Sequence, residues 1–112
     1  MNNEASNNIF GIFEFHPDGF TIVIQKEKRK ITWDEIESLN AYKLDLMAFD
    51  EVCLDIVLEK KFITVTEKTD GWNEFLKKLQ LQFPSIEKDW DMRITQPPFV
   101  TNFITLFTRN NS

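Results

Sequence analysis

Along most of this chain apolar and polar residues alternate with a period of two, and one long stretch keeps a helical period. Ile9 to Phe15 is rich in Ile and Phe, His16-Pro17-Asp18-Gly19 follows, and Phe20 to Gln25 runs back. Proline presets φ for the first corner of a turn and glycine tolerates the left-handed position that closes it, so a hairpin is predicted. Lys26-Glu27-Lys28 reads as a second, charged turn, and Arg29-Lys30-Ile31 as a short third strand. Thr32-Trp33-Asp34-Glu35 then fits a capping box, in which Glu35 reaches back to the Thr32 amide. Trp33, Ile36 and Leu39 recur at helical spacing, which predicts a helix of one to two turns over 33–39.

Tyr42, Leu44 and Leu46 alternate with Lys43 and Asp45, the pattern of a half-buried strand. Val52, Leu54, Ile56 and Leu58 alternate with Cys53, Asp55 and Val57 in the next, and Phe62 to Thr66 forms another after the Glu59-Lys60-Lys61 turn. Trp72, Phe75, Leu76, Leu79 and Phe83 fall at i, i+3, i+4, i+7 and i+11, one face of a helix. Thr69 or Asp70 is placed to cap its start, and Pro84 stops it. Ser85 to Met92, with Trp90, reads as irregular or as a short helical turn. From Phe99 to Phe107 the polar positions fit a helical face, whereas the Phe, Val, Thr and Ile content favours a strand. Gln96-Pro97-Pro98 sets an extended approach, so a strand is predicted. The fold class is therefore α+β: a curved antiparallel sheet of about six or seven strands packed on one main helix at about 70–82.

Composition sets bounds on this picture. At 112 residues the chain is one domain's length, predicted as a disordered tail over 1–8, a domain over 9–109 and a second tail over 110–112. With 11 Phe and 3 Trp, large rings supply much of the core. The single cysteine excludes an internal disulfide, and the polar start lacks a basic and an apolar signal region, so a cytoplasmic location is expected. No run is apolar enough to span a membrane. The net charge of −5 argues against nucleic acid as a partner. That charge is concentrated, because residues 33–59 hold eight acids against Lys43 alone.

Candidate chemistry is sparse. His16 is the only histidine and sits before Pro17 at a turn, so a turn role outweighs a catalytic one. Cys53 lies in an apolar strand, where a thiol acts as a small inert hydrophobe. No Gly-rich phosphate loop, metal spacing or cofactor motif occurs. Lys26, Lys28, Arg29 and Lys30 form a candidate anion-binding turn, although such a cluster more often only solubilises a hairpin. Glu37, Asp45, Asp50, Glu51 and Asp55 form a candidate acidic face for a basic protein partner.

The runs Ile31-Thr32-Trp33-Asp34-Glu35-Ile36 and Ala41-Tyr42-Lys43-Leu44-Asp45-Leu46, with Glu67, Gly71-Trp72, Phe83-Pro84, Trp90, Pro98-Phe99, Asn102 and Thr105-Leu106-Phe107, resemble those of small uncharacterised bacterial proteins. That resemblance implies no catalytic residue. The strand count before the long helix also resembles bacterial pleckstrin-homology-like domains, which pack curved antiparallel sheets against a helix near the C-terminus. This chain continues well beyond that helix.

Three functional expectations result. The first is a protein-interaction module, in its sharpest form an immunity- or antitoxin-like protein covering a basic surface. The second is a small carboxylate-dependent hydrolase or lyase. The third is a headgroup-binding domain using the turn at 26–30. An enzyme is the less favoured reading, no cofactor is implied, and the oligomeric state is left open.

Overall fold

Two antiparallel sheets, each of four strands, form the domain, rather than one curved sheet of six or seven. The computed structural model describes residues 8–96 and 102–109. Of the tail predicted over 1–8, residues 1–7 lie outside the described residues, as do the tail predicted over 110–112 and the stretch 97–101. The first sheet is a meander in chain order: β1 (Ile9–Phe10), β2 (Phe13–His16), β3 (Gly19–Ile24) and β4 (Glu27–Thr32). The hairpin at 16–19 forms as predicted, with His16 opposite Gly19. Its glycine is needed for a different reason. Its φ is not among the positive ones, but a Cβ there would lie 2.1 Å from the Ile31 carbonyl oxygen on β4. The second turn is Gln25-Lys26, both at positive φ (52° and 70°), as a tight two-residue hairpin requires. Strand β4 therefore starts at Glu27, earlier than the charge pattern suggested.

A single 3₁₀ turn, Trp33–Glu35, takes the place of the longer helix predicted over 33–39. The Glu35 carboxylate accepts hydrogen bonds from the Thr32 amide (3.5 Å) and hydroxyl (3.3 Å). Ile36 is already extended (φ −76°, ψ 118°), and this turn redirects the chain from the first sheet to the second. Trp33, Ile36 and Leu39 are all buried, but through a turn followed by a strand, whose spacing coincides there with that of a helix.

The second sheet has the order β7-β6-β5-β8, from β5 (Ser38–Asp45), β6 (Asp50–Val57), β7 (Phe62–Thr66) and β8 (Asn102–Thr108). Strand β8, the segment predicted as a strand by its composition, returns from beyond the helices to pair with β5. Leu39 stands opposite Phe107 and Asn40 opposite Thr105, so Leu106 is the extra residue of a bulge. A strand after the main helix is a departure from the pleckstrin-homology pattern.

Helix α1 (Trp72–Gln82) buries Trp72, Phe75 and Leu79, the face its periodicity predicts. Neither Thr69 nor Asp70 caps it. Gly71 does so in the left-handed region (φ 91°), while the Thr69 hydroxyl accepts from the Thr66 amide (3.1 Å). The Phe75 ring stacks on Phe13 at 4.5 Å and meets Phe20 edge-on at 5.1 Å, which fastens α1 to the first sheet. A short second helix, α2 (Trp90–Ile94), buries Trp90 and Ile94. The core joins these rings to Leu39, Ala41, Val52, Leu54, Ile56 and Val65 of the second sheet. No helix among the described residues is long and apolar enough to cross a membrane.

Candidate functional site

The side of the second sheet that faces away from this core is built by strand alternation. With Leu39, Ala41 and Lys43 of β5 pointing inward, residues of the other parity point outward. Read across β8, β5, β6 and β7, the outward rows are Phe103–Tyr42–Cys53–Thr66 and Thr105–Asn40–Asp55–Thr64. A third row ends on Ser38, Val57 and Phe62, and Leu44 faces Glu51 beyond the first. Phe103 and Phe62, at opposite corners, are 63% and 61% exposed, which is high for rings of this size. Tyr42 donates to Asp55 Oδ1 at 3.1 Å and the Thr64 hydroxyl donates to the same oxygen at 2.6 Å. Those bonds fix the Tyr42 ring on the face. The tyrosine's pKa is raised, by burial first and then by the hydrogen bond to Asp55.

Asp55 and Glu51 are the charges in these rows, and both are negative. At the rim, Lys68 sits over the Phe49 ring at 3.9 Å. Next to it the β5–β6 hairpin shows Leu46, Met47 and Phe49 to solvent, with Met47 at a positive φ of 73°.

The candidate acidic residues are thus only partly brought together. Glu51 and Asp55 share the outer face. Asp45 is exposed at the end of β5, where its Oδ1 accepts from the Met47 amide (3.0 Å). Glu37 is exposed just before the other end of that strand, about 25 Å away at ~3.3 Å per residue. Asp50 points to the inner side and pairs with the fully buried Lys43 at 3.5 Å. The Lys43 ammonium also donates to the Thr95 carbonyl (3.2 Å), and Asn102 donates to those of Ile94 and Gln96, so both tie the end of α2 to the sheet.

The basic turn does not converge either. Arg29 pairs with buried Ile22 and shares its side of the first sheet, whereas Lys28 and Lys30 take the opposite side. Lys30 binds Asp18 at 3.1 Å and thereby lowers the pKa of that carboxyl. His16 Nε2 is 2.9 Å from the Thr21 hydroxyl, a partner within its own hairpin. Burial, then the nearby acids Glu51, Asp55 and Glu67, raise the Cys53 thiol to about 11, which is unlike a nucleophile at neutral pH. Glu67, Asp70, Glu74 and Asp91 line an open cleft of about 690 Å³ at the start of α1. Among the described residues no group of three or more His, Cys, Asp or Glu could hold a metal ion.

The outward rings Phe62, Phe103 and Tyr42 escaped the sequence reading. A signal was present: Phe62 and Phe103 share strand parity with Thr64 and Thr105, the polar side of their strands. Comparison with protein-family models, with curated proteins and with solved structures finds no match to this chain.

Proposed function

We propose that this protein is a protein-interaction module that binds a basic partner through the outer face of its second sheet, in the manner of an immunity or antitoxin-like protein. One observation carries the reading: exposed Phe62 and Phe103 bracket a face whose charges, Glu51 and Asp55, are both acidic. Aromatic anchors with hydroxyl and amide neighbours supply contact area at low conformational cost, and acidic groups among them favour a basic surface. Two antiparallel sheets of four strands would serve many functions; the face, not the fold, suggests the role. The cleft at the start of α1 is open and polar, and it offers an enzymatic reading no apolar pocket to raise a carboxylic acid's pKa.

A pull-down from the native lysate with wild type, Glu51→Lys and Phe62→Ser tests the reading. A stoichiometric basic protein, weakened by both variants and binding more slowly as salt rises, is the expected result. A partner held equally by wild type and both variants would count against this face.

A further inference from the structure

A sheet edge with unpaired amides and carbonyls is a template for another strand, and proteins usually blunt it. Three of the four edges here are blunted by recognisable means. Strand β1 has two residues. Strand β4 carries Glu27, Lys28, Arg29 and Lys30, all exposed. On β7 the pairing parity turns Phe62, Thr64 and Thr66 outward, but Thr66 closes on Thr69: its amide donates to the Thr69 hydroxyl (3.1 Å) and its carbonyl accepts from the Thr69 amide (2.8 Å). Charged Lys60 and Lys61 precede that strand.

Strand β8 has none of these three protections over residues 102–105, ahead of its bulge at Leu106. It is seven residues long, Asn-Phe-Ile-Thr-Leu-Phe-Thr, without a charge, and among the described residues it pairs with β5 alone. Parity fixes which of its groups face outward. The Leu46 amide bonds the Phe49 carbonyl, so even-numbered residues of β5 bond β6 and Ala41 and Lys43 bond β8. Ile104 and Asn102 therefore turn inward, and the amides and carbonyls of Phe103 and Thr105 turn outward. Both side chains are exposed.

We infer that β8 is a self-association edge, and that its occupant is β8 of a second copy, antiparallel about a two-fold axis at Ile104. In that register Phe103 lies opposite the copy's Thr105 and Thr105 opposite its Phe103, so outward groups meet outward groups on both sides. The chain's net charge of −5 disfavours most approaches between two copies, but this strand brings no charge to the contact. The joined sheet has eight strands and places the two outer faces side by side. The inference thus extends the proposed interaction face to a two-fold symmetric one.

Sedimentation velocity of the full chain across a thousandfold concentration range tests it. Wild type should shift from monomer to dimer. Thr105→Pro removes an outward amide without removing a bond to β5, and Phe103→Lys places like charges across the junction. Each should raise the dimer dissociation constant at least tenfold. Circular dichroism and the urea midpoint report whether each variant still folds, and Phe103→Lys, at an exposed side chain, is the safer of the two. A wild type that is monomeric throughout, or a dimer that both folded variants retain, overturns the inference. Phe103 also belongs to the proposed interaction face, so the wild type separates the two readings: a wild type that is monomeric throughout and still binds the basic protein would refute the dimer and leave the interaction face standing.

Discussion

Tyr42 and Lys43 are consecutive, yet they serve opposite sides of the second sheet. Lys43 is 0% exposed, held by Asp50 and the Thr95 carbonyl among apolar side chains. Tyr42 is half-buried on the outer face, held by Asp55, and within reach of solvent. The acids divide in the same way, with Asp50 inward and its neighbour Glu51 outward. On the inner side a charge without its partner would stay buried, so the pair is tightly constrained. On the outer side water can replace a lost partner, so the same residue types are free to serve recognition. A count of acids along 33–59 merges these two populations, and strand parity separates them.

The sharpest way to break the comparison is on the inner side. Lys43→Ala leaves Asp50 and the end of α2 without the ammonium, and should destabilise by about 3–5 kcal/mol. The urea midpoint reports it, and an unchanged midpoint would mean that the pair contributes nothing. The double variant Lys43→Met, Asp50→Leu removes both charges and keeps the volume. It should recover most of that loss, because a buried ion pair is often no better than apolar packing. A double variant as unstable as Lys43→Ala would point instead to the Thr95 contact as the essential one.

On the outer side the corresponding loss is smaller. Tyr42→Phe removes one hydrogen bond to Asp55 while Thr64 still donates to it, and should cost about 1 kcal/mol. A loss as large as that of Lys43→Ala would show that the outer face belongs to the folding core and is not available for binding.

Much of the architecture was legible because local pattern and tertiary packing agree. The α1 face, the 16–19 hairpin and the alternation of Val52, Leu54 and Ile56 all appear as read. What failed was the phase of β5. Tyr42, Leu44 and Leu46 look like its apolar side, but the strand begins at Ser38, and Leu39 and Ala41 fix the inward parity. Lys43 then falls inside, which is tolerable only because Asp50 and Thr95 are there to receive it. Neither partner can be paired with Lys43 from local sequence, since Thr95 arrives from α2 and Asp50 from the next strand. The same flip exposes Leu44 and Leu46. The division into two sheets was hidden for a related reason: Ile36 and Leu39 match a helical period, so the break at the 3₁₀ turn reads as a helix.

Cys53 gives an effect confined to alkaline pH and the finest test, because it lies on the outer face and is still buried. Removal from water and three nearby acids disfavour its thiolate, and its pKa rises from an ordinary value near 9 to about 11. Above pH 9 the unfolded thiol has lost its proton while the folded one keeps it. The unfolded state then binds fewer protons, so stability falls as pH rises. The contribution is fully present below about pH 9 and is lost between there and about 11. Tyr42, whose pKa is also raised, acts with the same sign at higher pH. Urea midpoints across pH 8 to 11 should therefore decline less steeply in Cys53→Ala than in wild type. Two pKa units also correspond to about a hundredfold smaller thiolate fraction, so a neutral disulfide reagent at pH 8 should label native protein on the order of a hundredfold more slowly than unfolded protein. Parallel midpoint curves together with equal labelling rates would place Cys53 in contact with solvent. The outer face would then be open between Tyr42 and Thr66, and its centre would lack the packing that a preformed binding surface needs.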